Sequence, residues 1–264
     1  MKHIALIGFG AIGRDVAAAL QADGGYRLSV FLRDGSKSAM SVPDWVAQVG
    51  DVADIAAQKP DLVVEAAGHH VVREIVPPCL EHGVPVLITS IGALHDAELH
   101  ARLIAAATSG CTRLILPAGA LGGLDYVRAA RRASDLDLVY TSTKPPAAWR
   151  TELATLGHDP DTLEGPVTIF EGDAREAAAR HPLNLNVAAA LALSGHGFEA
   201  TRVRIVCDPD AKGNTHAISA KSAFGAMRLD IVNAPSAANP KTSWIVSQSV
   251  ISAIGQFFSP VQTL

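Results

Sequence analysis

Gly8-Phe9-Gly10-Ala11-Ile12-Gly13 is the stretch whose reading decides the fold, because of what stands on either side of it. His3-Ile4-Ala5-Leu6-Ile7 before it is an apolar run of strand length, and Arg14-Asp15-Val16-Ala17-Ala18-Ala19-Leu20 after it has helical composition and spacing. Strand, glycine turn and helix in that order make the phosphate-binding opening of a dinucleotide fold. Gly8 permits the tight turn, Gly10 lets backbone approach a pyrophosphate, and Gly13 lets helix pack closely on strand. Ala11 and Ile12 lie between these glycines as further candidates for the cofactor, whose phosphates sit at the helix N-terminus, where unpaired N–H groups and the helix dipole favour negative charge. The strand is also the first in the chain, as this fold expects.

A chain of 264 residues has room for one large domain or two modest ones, and with 48% apolar and 18% charged residues it can bury a sizeable core. The net charge of −4, with no dense Lys/Arg cluster, argues against a nucleic-acid or anionic-membrane surface. Cys79, Cys111 and Cys207 are odd in number and far apart, which fits neither a disulfide framework nor a metal-ligand spacing. They suit a reducing compartment. The apolar run before Gly8 is too short for a signal-peptide core and no segment approaches the ~18 apolar residues of a membrane span, so the cytoplasm is expected.

Further strands are expected at Leu28 to Leu32, Asp61 to Glu65, Val84 to Thr89 and Arg113 to Gly119, with helices between them such as Val71 to His82. Alternating strand and helix imply a doubly wound parallel sheet of Rossmann type, with ligand at the carboxyl ends of the strands. The Gly-rich Gly119-Ala120-Leu121-Gly122-Gly123 leads out of it, setting domain limits of 1–120 and 121–241. In the second part, strand candidates at 136–143, 168–170, 202–207, 216–220 and 227–232 and a helix from about Pro182 suggest an α+β substrate domain. The tail, Thr242 to Phe258, reads as a helix that could pack back on the first domain.

Discrimination between NAD and NADP rests on the end of the second strand, where an acidic residue bonds the ribose 2′-OH and an arginine accommodates a 2′-phosphate. Arg33 and Asp34 offer both, so use of either cofactor is expected. The turn Ala66-Ala67-Gly68 has side chains small enough for the dinucleotide to pass. His69 and His70 follow it, but adjacent histidines diverge and no carboxylate or cysteine converges with them by spacing; no metal is expected.

Among templates for the chemistry, Cys111 in Ser109-Gly110-Cys111-Thr112 precedes a strand instead of opening a helix and has no evident base to activate it. Paired carboxylates and a serine nucleophile elbow are not apparent. His216, in Thr215-His216-Ala217-Ile218-Ser219-Ala220, shares a strand face with Ile218 and Ala220. A histidine there can take a proton from an amine or from attacking water, as oxidation of an amine to an imine and its hydrolysis require; it could equally be a core histidine bonded to backbone. His181 competes with it, at the opening of His181-Pro182-Leu183-Asn184-Leu185-Asn186. Asn184 and Asn186 could cap that helix or bond a carboxamide.

Taken in order, Gly8 to Gly13, Leu116 to Asp125, Thr143-Lys144-Pro145-Pro146, Phe170 to Glu176, His181 to Ala188 and Asn239-Pro240-Lys241-Thr242-Ser243 resemble the L-aspartate dehydrogenases over nearly the whole chain. The resemblance implies oxidation of L-aspartate by NAD or NADP to iminosuccinate, which yields oxaloacetate and ammonia or feeds NAD biosynthesis. It implies that His216 is the catalytic histidine and that Ala120 and Asn186 contact the cofactor. Lys144, Lys241, Asn184 and His181 are candidates for the substrate carboxylates. Two alternatives stay open: a related imine reductase of the dihydrodipicolinate reductase kind, whose paired-histidine segment followed by lysine is not found here, and a non-catalytic NADP-sensing module. A homodimer is expected from base rates alone.

Overall fold

The computed structural model describes residues 1–33, 35–181, 186–236 and 242–263. From the N-terminus these form β1 (Lys2–Ile7), α1 (Ala11–Asp23), β2 (Tyr26–Phe31), β3 (Ala47–Val49), α2 (Val52–Ala57), β4 (Leu62–Glu65), α3 (His69–Glu81), β5 (Val86–Ile88), α4 (Ala97–Ser109) and β6 (Leu114–Ile115). The strands hydrogen-bond in the order β3-β2-β1-β4-β5-β6, every pair parallel. β1 stands at the centre, where the strand order reverses. That reversal opens the crevice in which such sheets bind ligands. Strands covered on both faces must be apolar along their length, and from Ile4 to Ile7, and throughout β4 and β5, every residue is buried. Each fully buried Ile, Leu or Val contributes roughly 1.5–3 kcal/mol. α1 turns Gly13, Val16, Ala17 and Leu20 inward at helical spacing.

The chain continues as α5 (Leu124–Ala130), β7 (Asp137–Lys144), α6 (Arg150–Thr155), β8 (Val167–Asp173), α7 (Ala174–Arg180), α8 (Asn186–Ser194), β9 (Thr201–Cys207), β10 (Asn214–Ser222), β11 (Gly225–Asn233) and α9 (Ile245–Phe258). β7 to β11 make a mixed sheet of order β11-β10-β7-β9-β8, in which only β7 and β9 run parallel. Its strands alternate. Leu138, Tyr140, Ser142 and Lys144 are buried on β7, as are Asn214, His216, Ile218 and Ala220 on β10, with half-buried or exposed residues between them. α8 is an alanine-rich helix with Ala188, Ala189, Ala190, Leu191 and Ala192 buried, and these small side chains let it pack against α5, α7 and β9.

Two compact units result, Met1–Gly119 with Val246–Thr263, and Ala120–Ile245. α9 returns to the first unit: Val250 and Ile254 join the core cluster of Ile4, Leu6, Val16 and Leu28. Ser247 Oγ donates to Asp15 on α1 at 2.6 Å, and the Gly119 N–H donates to Ser249 Oγ at 2.9 Å.

Several elements differ from the sequence expectation. The strand expected from Arg113 to Gly119 shrinks to two residues at the sheet edge, β3, α6 and α7 were not foreseen, and the tail helix begins at Ile245. α7 was readable in principle, since Asp173 caps it by accepting the Glu176 N–H at 2.8 Å. The beginning of a helix at Pro182 lies outside the described residues.

Candidate active site

The first unit carries a groove of about 190 Å³ lined by Gly8, Gly10, Arg33, Ala66, Ala67 and His70, among others. Each glycine has a distinct geometric reason. Gly8 has φ +94°, and a Cβ there would stand 2.8 Å from the Ala66 carbonyl oxygen and from Ala67 Cβ. A Cβ on Gly13 would stand 2.6 Å from the Gly8 carbonyl oxygen, so the helix can approach its strand only with glycine. A Cβ on Gly10 would meet nothing within 4 Å. The backbone at Gly10, the residue before α1, therefore faces open space, as approach by a pyrophosphate requires, while Ala11 and Ile12 form the first turn beside it. These residues fit a dinucleotide.

Glu65, the last residue of β4, was not singled out in the sequence, yet it organises the opposite wall. Its fully buried carboxylate accepts the Ala67 and Gly68 N–H groups, each at 2.8 Å, and the Ser90 N–H and hydroxyl at 3.1 and 2.9 Å. Two donors from the small-residue turn and two from Ser90 meet on this one carboxylate, which ties the turn to Ser90. Arg33 is exposed and lines the groove together with Ser36 and Ser38, two hydroxyls that follow it in sequence and carry no motif that marks them. Asp34 lies outside the described residues. Among the described residues no group of three or more His, Cys, Asp or Glu side chains could hold a metal ion. Cys111 is exposed, with φ +51°, and precedes β6, so it sits at the amino edge of the sheet, away from the glycine turn at the carboxyl edge.

In the second unit, His216 is 4% exposed and its Nδ1 lies 2.7 Å from the Tyr140 hydroxyl. Its Nε2 is buried, with no hydrogen-bond partner among the described residues. Burial, and secondarily the Lys144 ammonium, push its pKa down to about 4, so the ring is neutral at physiological pH. Lys144 shares the face of Tyr140 and Ser142 and is itself buried, with Nζ 5.9 Å from the Trp149 ring centroid. A neutral imidazole with an open nitrogen beside a buried cation can accept a proton and hold an anion. His181, at the end of α7, meets the same Trp149 ring edge-on at 5.7 Å and Phe170 at 5.9 Å, with Glu152 3.9 Å away. Burial lowers its pKa as well. Ala120 is buried and its carbonyl accepts from Asn233 Nδ2 at 3.0 Å; Asn186 is the exposed first residue of α8. Asn184 and Lys241 lie outside the described residues. Cys207, across from Lys144 in the β7–β9 register, has its thiol pKa raised by burial, which disfavours a thiolate nucleophile.

Known proteins resemble the chain along its length. The sequence model of the family described as "Aspartate dehydrogenase, C-terminal" matches residues 125–257, and that of "Homoserine dehydrogenase, NAD binding domain" matches residues 8–117. L-aspartate dehydrogenase 2 of Bordetella bronchiseptica is 50% identical over 257 residues, covering 96% of both chains. L-aspartate dehydrogenase of Cupriavidus taiwanensis is 40% identical over 260 residues, covering 97% of both. The crystal structure of aspartate dehydrogenase from Thermotoga maritima superposes with a TM-score of 0.79 at 25% identity, covering all of both chains.

Proposed function

The chain belongs to the L-aspartate dehydrogenase family, and from that premise we propose that it oxidises L-aspartate with NAD or NADP to iminosuccinate. Water then converts the imine to oxaloacetate and ammonia, unless it is withdrawn toward NAD biosynthesis. The observation that carries this reading is the open Nε2 of a neutral, buried His216 beside the buried cation Lys144. Nε2 takes a proton from the substrate amine before oxidation, releases it to solvent, and then takes one from the water that attacks the imine carbon. Lys144 gives a substrate carboxylate a charge-assisted partner. His181 is a second candidate for that role, and Asn184 and Lys241 remain proposals from sequence. When bound, the nicotinamide supplies the acceptor for the hydride that leaves the substrate Cα.

The glycine turn, Ala66-Ala67-Gly68 and Arg33 hold the dinucleotide on this reading, with Ala120 and Asn186 as further contacts. Arg33, Ser36 and Ser38 offer a cation and two hydroxyls suited to a 2′-phosphate, which supports use of NADP as well as NAD. No helix among the described residues is long and apolar enough to cross a membrane. We assign the enzyme to the cytoplasm as a homodimer, a state that light scattering on the purified protein reads directly.

Purified protein supplied with L-aspartate as sole substrate and either cofactor should generate reduced nicotinamide and release ammonia. No turnover in either direction with both cofactors contradicts the assignment. Reduction of a cyclic imine without action on aspartate would favour the dihydrodipicolinate reductase alternative, and dinucleotide binding without any turnover would favour a sensing module.

A further inference from the structure

Tyr140 is fully buried, and no step assigned to His216 or Lys144 requires its hydroxyl. That hydroxyl lies 2.7 Å from His216 Nδ1, with the two rings inclined by only 16°. Ser142, the next residue on the same face of β7, is 2% exposed and stands directly across from His216 in the β7–β10 register. Its hydroxyl is the polar neighbour on that face that acts on the Tyr140 hydroxyl. Ser142, Tyr140 and His216 thus share one buried polar face, joined at Tyr140 Oη and His216 Nδ1, and at the far end of the imidazole Nε2 has no partner among the described residues. Burial raises the pKa of Tyr140, so the phenol keeps its proton.

A neutral imidazole carries one proton, on either nitrogen, and serine and tyrosine hydroxyls both donate and accept. Two arrangements satisfy these groups. In one, Ser142 donates to Tyr140 and Tyr140 donates to Nδ1, which leaves an N–H on Nε2 buried with no acceptor among the described residues. In the other, Nδ1–H donates to Tyr140 Oη, the phenol donates to Ser142 Oγ, and Nε2 keeps its lone pair. A buried N–H without a partner is rarer and costlier than an under-used acceptor, which favours the second. We propose that Tyr140, backed by Ser142, is the positioning residue of this site: by accepting Nδ1–H it fixes the tautomer in which the His216 Nε2 lone pair is free to take the substrate proton.

The proposal rests on His216 being the base, and its test separates the two claims. Nitrogen-15 spectra of histidine-labelled protein at neutral pH should show His216 protonated at Nδ1 and bare at Nε2, the signal being assigned by its loss in His216→Gln. Tyr140→Phe keeps the ring and removes the acceptor. It should shift the tautomer toward Nε2–H and lower kcat roughly 10- to 100-fold, with KM for aspartate and Kd for the dinucleotide within about threefold of wild type. Ser142→Ala leaves both rings in place, should shift the tautomer and kcat in the same direction by less, and serves if Tyr140→Phe does not fold. An Nε2–H tautomer in the wild type overturns the proposal, as does an unchanged tautomer and kcat in the folded variant. Full turnover by His216→Gln instead removes the premise that His216 is the base.

Discussion

His216 is the residue where burial and chemistry are most tightly linked. Its pKa is about 4 in the folded chain against 6.5 for a free histidine, so between these values the unfolded chain binds the proton and the folded one does not. Stability contributed this way is complete above pH 6.5 and is lost as pH falls toward 4, by on the order of 3 kcal/mol. Urea midpoints should therefore drop between pH 7 and pH 4.5, and drop less in His216→Gln; parallel curves for the two proteins would contradict the burial account. His216 stood out in the sequence because alternation placed it beside Ile218 and Ala220, and β10 has that burial pattern. Tyr140 did not stand out. Its contact with His216 depends on the register between β7 and β10, strands 76 residues apart at the hydrogen-bonded pair, and register is a tertiary fact.

β1, α1 and the turn between them were the most legible elements, because three glycines and two hydrophobic periods point to one answer. The two later glycines nevertheless do different work, which substitution can separate. Gly13→Ala forces a Cβ to within 2.6 Å of the Gly8 carbonyl and should destabilise the fold by about 1–3 kcal/mol. Gly10→Ala meets nothing within 4 Å and should leave stability within about 0.5 kcal/mol, while weakening dinucleotide binding at least ~10-fold. Urea denaturation and a fluorescence titration read the two effects, and tight binding by Gly10→Ala contradicts the cradle. Glu65 escaped notice because a carboxylate ending an apolar run reads as the strand's exit to solvent; only the fold brings Ser90, 25 residues on, to its oxygens. β6 was overestimated for a similar reason. Arg113 to Gly119 has strand composition, but only Leu114 and Ile115 pair in register with β5.

At the scale of the molecule, the groove proposed for the dinucleotide belongs to one compact unit and His216, Tyr140 and Lys144 to the other. The alternation of strands and helices made the parallel sheet legible, whereas the order β11-β10-β7-β9-β8 of the mixed sheet was not, since sequence order does not say which strands pair. The division has a consequence for function: damage to the second unit's chemistry should spare the first unit's ligand. Steady-state turnover of L-aspartate by His216→Gln, with NAD(P) affinity measured on the same sample, is the most direct test. The expected result is a loss of at least roughly 100-fold in kcat with dinucleotide Kd unchanged within about threefold. Wild-type turnover in that variant would contradict the assignment of His216 as the base.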